Sequence, residues 1–274
     1  MRIRISHATT YLYETPPKVV TQLLRKTPRN YDGQYVCDWR IDVSADCQLH
    51  QHEDAFGNIT HSFTAEGPFD ELTVTVDGEV ETQDTNGMVS GAVERFPPQF
   101  YLRETALTQS NAAIVDFAEA VRAHNHEQLT MLHGLLDAVH REIVFDTDPT
   151  HVTTAAAEAF ALRRGVCQDL THIFISAARA LGLPARYVGG HLRRSDGVTE
   201  QVAGHAWAEV HIENLGWVGF DPANGVCTTE AHVRVAVGLD YLGAAPVRGS
   251  RFGGTGETLK VTVQVEQARR QAQS

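Results

Sequence analysis

The sequence predicts an α+β protein in which an antiparallel β-sandwich-like domain precedes a core of helices and strands. Three observations carry this. Apolar residues alternate at period two through much of the first hundred positions, the pattern of strands with one buried face. After Phe96-Pro97-Pro98 the period lengthens to that of amphipathic helices. Strand-like alternation then returns from Ala185 onward. At 274 residues the chain is long enough for two ordinary domains. The change of period divides it into a β-rich domain over 1–104 and a core over 105–274 that carries the C-terminal strand.

In the first part, Ile3 and Ile5 alternate with Arg2 and Arg4, and the run continues through Tyr11-Leu12-Tyr13 until Pro16-Pro17 breaks it. Cys37, Trp39, Ile41 and Val43 alternate with Asp38, Arg40 and Asp42, which reads as a half-buried strand. Asp54-Ala55-Phe56-Gly57-Asn58 reads as a turn. Leu72, Val74 and Val76 form another alternating run.

The helical part opens at Ser110 or Asn111, either of which would cap a helix running to Ala123. A second helix is expected over Glu127 to about Ile143, with Leu129, Leu132, Leu135, Leu136 and Val139 on one face. A short helix follows over Ala155 to Leu162. Another opens at Cys167 and closes at Gly182 and Pro184. Strands are expected over 185–192, 205–212 and 217–220. Gly249 to Gly256 reads as a flexible loop, and Leu259, Val261, Val263 and Val265 as a last strand.

Composition excludes several classes. With 23 Lys and Arg against 34 Asp and Glu, the net charge is −11. Such a surface repels nucleic acid and anionic lipid, so neither is expected as a partner. No apolar run reaches the roughly 20 residues that span a bilayer, and the N-terminus lacks the apolar stretch of a signal peptide. A cytoplasmic location is the resulting expectation. The four cysteines, Cys37, Cys47, Cys167 and Cys227, are too few for a disulfide scaffold and form no C-x-x-C pair. His50-x-His52 and His124-x-His126 lack a third ligand at sensible spacing, so no metal and no cofactor is expected.

One segment stands out chemically. Gly165-Val166-Cys167-Gln168-Asp169 places a thiol at the start of a helix, where the macrodipole favours the thiolate. Free backbone N–H groups at the same end would stabilise an oxyanion. Leu170, Ile173, Phe174, Ala177, Ala178 and Leu181 give this helix a buried stripe, so packing would hold the thiol in place. A base is available at His205, in Gly204-His205-Ala206-Trp207-Ala208-Glu209-Val210. Asp221, ending Gly216-Trp217-Val218-Gly219-Phe220-Asp221, would orient it across a hairpin turning at Asn214-Leu215-Gly216. Asp169 reads as a helix cap, His172 as structural, Trp207 and Trp217 as core or cleft wall, and Cys227 as an incidental thiol.

These motifs, together with Gly182-Leu183-Pro184-Ala185-Arg186-Tyr187-Val188-Gly189-Gly190, resemble the bacterial transglutaminase-like superfamily over roughly residues 110–225. The β-rich first hundred residues and Val235 to Tyr241 resemble segments that accompany this core in one bacterial branch. The resemblance implies a papain-like transglutaminase core with Cys167 as nucleophile, His205 as general base and Asp221 as the residue that orients it. One departure is Ala223 in Asp221-Pro222-Ala223-Asn224, where the family usually has Thr or Ser.

Three activities follow as alternatives. The first is cysteine-dependent hydrolysis of peptide or isopeptide amides through a thioester, with a peptide or protein as substrate. The second is acyl transfer to an amine. The third is a noncatalytic peptide-binding module, whose expected mark is a broken triad. Hydrolysis is favoured because nothing in the sequence suggests an amine site. A homo-oligomer remains compatible with the sequence, which also leaves the role of the N-terminal domain open between substrate access and assembly.

Overall fold

The computed structural model describes residues 1–125, 127–148 and 150–268. Seven strands come first: β1 (Arg2–Thr15), β2 (Val19–Thr27), β3 (Gln34–Val43), β4 (His50–Glu53), β5 (Ile59–Glu66), β6 (Glu71–Thr82) and β7 (Met88–Val89). A 3-10 turn at Pro98–Leu102 leads to helices α1 (Ala112–His124) and α2 (Gln128–Glu142). The short strands β8 (Val144–Phe145) and β9 (Arg164–Gly165) flank helix α3 (Ala156–Leu162), and α4 spans Cys167–Ala180. Then come β10 (Ala185–Leu192), β11 (Glu200–Gln201), β12 (His205–Ile212), β13 (Gly216–Asp221), β14 (Val226–Cys227) and β15 (His232–Gly238). Helix α5 (Tyr241–Ala244) and strands β16 (Val247–Phe252) and β17 (Thr255–Gln267) end the chain.

Two antiparallel sheets, β11-β17-β1-β6-β3 and β16-β2-β5-β4, pack through Tyr13, Leu24, Phe63, Leu72 and Val74. The alternation read in the sequence is what makes this possible, because each strand turns its apolar side chains to one face. The core sheet has the order β14-β13-β12-β10-β15, with β7 paired to β13. Helices α1, α2 and α4 cover one face of it. Leu132, Leu135, Phe174 and Ile173 meet Ala206, Ala208, Val210 and Phe220 there.

The pairing corrects the expected domain division. β17 pairs with β1, with Ile5 opposite Val265 and His7 opposite Val263, so the C-terminal strand belongs to the N-terminal β layer and not to the core. Its alternating valines supply the buried face that covers β1, and Val263 and Val265 pack with Ile3, Ile5 and Val233 of β15. The segment 249–256, expected as a loop, is largely strand, passing from β16 in one sheet to β17 in the other. β16 pairs with β2 from Val247 to Phe252, and the turn is confined to Gly253 and Gly254, both at positive φ. Arginine, glycine and serine on an exposed edge strand leave no apolar period to read.

Helix α4 is buried from Gln168 to Arg179. Arg179 anchors its far end by donating to the carbonyls of Tyr101, Ala185 and Leu239 and to the Thr108 hydroxyl. At the outer edge of the core sheet, β15 has no strand neighbour beyond β10 among the described residues. Side-chain amides take that role. Gln34 both donates to the Arg234 carbonyl (2.9 Å) and accepts from its N–H (2.8 Å). Asn58 does the same at Val237, at 2.8 Å each way, and Thr82 donates to the Glu230 carbonyl. The N-terminal β region thus grips β15 as a strand would, satisfying an otherwise open edge.

Candidate active site

Cys167 is the first residue of α4 and is partly buried. The helix start is built by Asp169, whose Oδ2 accepts from the Val166 N–H at 2.8 Å and from the Thr150 hydroxyl at 2.7 Å. This is the backward-reaching half of a capping box. Gly165 makes room for it: a Cβ there would lie 2.6 Å from both Cβ and Oδ2 of Asp169.

His205 begins β12 and Asp221 ends β13. The strands are in register from Ala208 opposite Phe220 to Ile212 opposite Gly216, around a turn with Asn214 and Gly216 at positive φ. His205 and Asp221 sit diagonally on this ladder, and their side chains meet: His205 Nε2 lies 2.7 Å from Asp221 Oδ2. Burial alone would lower the His205 pKa. The charge and hydrogen bond of Asp221, joined by a hydrogen bond and charge from Cys167, raise it instead to about 10. With Nε2 turned to Asp221, Nδ1 is the ring atom left for the thiol proton. The structure therefore brings Cys167, His205 and Asp221 together.

Asp221 is fully buried, a cost that must be met by donors. Burial pushes its pKa up, but His205 and His232 together hold it well below the usual carboxylate range. Its Oδ1 accepts from the N–H groups of Ala223 (3.1 Å) and Asn224 (3.2 Å). Its Oδ2 accepts from Asn224 Nδ2 at 2.7 Å and from His232 Nε2 at 3.1 Å, in addition to His205. The turn bonds at 223 and 224 are backbone bonds, so Ala223 leaves them intact.

Asn224 and His232 were not read from the sequence. Asn224 carried a usable signal, since an Asp-Pro-x-Asn turn directs its side chain back over the Asp. His232 carried none, because a lone histidine in an apolar strand has no local partner. The other expectations stand as follows. His172 is buried and accepts from the Tyr241 N–H at 3.0 Å, while burial lowers its pKa to about 4. Trp207 and Trp217 are buried, and Cys227 is partly buried in β14. His50 and His52 are exposed on β4, and His126 lies outside the described residues.

Could the site hold a metal? The ligand atoms of His205, Asp221 and His232 lie within 4.8 Å of one another. The hydrogen bonding opposes it. His232 Nδ1 accepts from the Thr229 N–H at 3.1 Å, so the proton of the neutral ring is on Nε2. A metal needs the lone pair of that nitrogen. The cluster is a ring of donors around one carboxylate.

Beneath the site, Glu209 is fully buried between two arginines. Arg186 Nε donates to it at 2.7 Å and Arg234 Nε at 2.7 Å, and together they bring its pKa to about 2 against the effect of burial. Arg186 also makes paired bonds to Glu94 and lies 3.8 Å from the centre of the Trp217 ring.

The comparisons with known proteins agree with this architecture. Residues 3–81 match the bacterial transglutaminase-like N-terminal region, and residues 115–222 match the transglutaminase-like superfamily. A Mycobacterium leprae protein of uncharacterized function is 30% identical, over 96% of this chain and 98% of its own. The chain belongs to the bacterial transglutaminase-like family. A Mycobacterium tuberculosis relative, also uncharacterized, is 27% identical over 90% of this chain and 87% of its own. The crystal structure of a candidate cysteine protease from Cytophaga hutchinsonii superposes with a TM-score of 0.80 at 20% identity, covering 99% of this chain and 92% of that one. That likeness shows a shared fold across the full length of this transglutaminase-like chain. No helix among its described residues is long and apolar enough to cross a membrane.

Proposed function

We propose that this transglutaminase-like protein is a cysteine-dependent amidase that hydrolyses peptide or isopeptide bonds through a thioester. The observation that carries the reading is the buried His205–Asp221 pair, 2.7 Å apart, with the Cys167 thiol close enough to the same imidazole to raise its pKa. His205 takes the thiol proton, and the thiolate attacks the substrate carbonyl. The oxyanion forms at the first turn of α4, where backbone N–H groups have no intrahelical partner, that of Cys167 among them. The imidazolium then protonates the leaving amine. A water, deprotonated by His205, cleaves the thioester and regenerates the thiol. The raised His205 pKa fits the acid step, since the proton is retained until the amine departs.

The substrate is a peptide or protein, and the acidic surface gives no support to a nucleic-acid or membrane partner. Hydrolysis is tested by incubating peptide and isopeptide libraries with wild type and Cys167→Ala, with and without an added primary amine. The expected result is amine-independent release of carboxylate products that disappears in Cys167→Ala. Products found only with the amine would make the enzyme a transferase, and equal turnover by Cys167→Ala would end the cysteine mechanism.

A further inference from the structure

Asp221 Oδ2 accepts from two imidazoles, and only one of them faces the thiol. The second is His232, the first residue of β15, itself buried. Its proton is placed by the fold: the Thr229 N–H occupies Nδ1 at 3.1 Å, which leaves Nε2–H to point at Asp221 from 3.1 Å. The indole of Trp207 packs edge-on against it, ring centres 5.3 Å apart. Both of its ring nitrogens are thus occupied by the fold, Nδ1 as an acceptor and Nε2 as a donor.

We infer that His232 is a positioning residue that holds Asp221 Oδ2 toward His205, and that the N-terminal β region serves the reaction by fixing the strand that carries it. The inference rests on the proposed cysteine mechanism. A carboxylate with five donors around it cannot rotate without breaking several bonds. Of the five, the backbone donors and Asn224 come from the turn that follows Asp221 itself and move with it. Apart from His205 itself on β12, His232 is the donor that ties the carboxylate to another strand. That strand is gripped by Gln34 at Arg234 and Asn58 at Val237, and the turn leading into it by Thr82 at Glu230. A path of bonds thus runs from the β sandwich through β15 to Asp221 and on to His205. This assigns the N-terminal region a task other than substrate access or assembly.

Two conservative substitutions separate the roles of the two ring nitrogens. His232→Gln puts an amide N–H near the place of Nε2 and loses the acceptor for Thr229. His232→Asn keeps an acceptor near Nδ1 and loses the donor to Asp221. The measurement is the rate of iodoacetamide alkylation of Cys167 from pH 5 to 10, read by peptide mass spectrometry, alongside the melting temperature of each variant. A positioning role predicts that His232→Asn melts close to wild type but alkylates at least 10-fold more slowly at pH 6–7. Its rate profile would move to higher pH. His232→Gln should retain alkylation within about threefold even where its melting temperature falls. If alkylation instead follows the melting temperatures, or all three proteins alkylate alike, His232 is only a structural cap and the inference is wrong. If wild type itself alkylates with the slow profile of an ordinary thiol, the cysteine mechanism has failed, and with it the frame on which the inference stands.

Discussion

Replacing Asp221 with Asn removes one buried charge and nearly conserves shape. The His205 pKa lies at about 10, some 3.5 units above its ordinary 6.5, despite a burial penalty acting in the opposite direction. At about 1.4 kcal/mol per unit, the imidazolium is favoured by about 5 kcal/mol, most of it owed to Asp221. In Asp221→Asn the burial penalty remains, and the thiol is the one raising influence left. The His205 midpoint should therefore fall by at least two units. Titration of the ring by NMR, with the signal assigned through His205→Gln, reads this directly. The pair also has a stability signature. A histidine whose folded pKa is raised contributes stability that is complete below about pH 6.5 and lost as pH rises through about 10. A carboxylate whose folded pKa is depressed contributes above about pH 4 and loses that contribution as pH falls. Wild type should thus lead Asp221→Asn in the window between, with the gap closing at either end. A His205 midpoint in Asp221→Asn still above pH 9, or a wild-type midpoint near 6.5, would refute the reasoning.

Three further outcomes follow from other parts of the structure. Lys26 is buried against His7 and Thr9, with no carboxylate bonded to it among the described residues, and burial lowers its pKa to about 7. The unfolded chain therefore binds more protons than the folded one between about pH 7 and 10.5, and stability should rise across that range. Lys26→Met should stabilise by about 2–4 kcal/mol at pH 6 after the lost hydrogen bonds, and by little at pH 10, as read by urea unfolding. Glu209→Ala should cost about 3–5 kcal/mol in the same assay, because it leaves two buried arginines short of their shared acceptor. Gly165→Ala should displace Asp169 from the start of α4, costing about 1–3 kcal/mol and slowing Cys167 alkylation. A neutral effect would show that this turn yields freely.

Much of the site was legible in the sequence because its parts are local. A glycine before a helix-starting cysteine, and a histidine and aspartate flanking one hairpin, are short-range patterns with one geometric solution. What stayed hidden is nonlocal. The period of Leu259 to Val265 marks a strand, but alternation names only the buried face and not the neighbour, so position in the chain points β17 to the core although it pairs with β1. β16 lies at a solvent-exposed edge, where no apolar period is needed. His232 reaches Asp221 only because β15 packs beside β10 at the far end of the sheet, a neighbourhood decided by tertiary contacts. The amides of Gln34 and Asn58 likewise bond a strand roughly 180–200 positions away.

The chain supplies its own control for the central claim, since Cys37 is exposed whereas Cys167 is only partly so. Competitive labelling with limiting iodoacetamide at pH 6.5, followed by peptide mapping, ranks the two thiols within one molecule. An imidazole-paired thiolate should make Cys167 react at least 10-fold faster than Cys37 despite its poorer access. Labelling that simply follows exposure, with Cys37 ahead, would contradict the account.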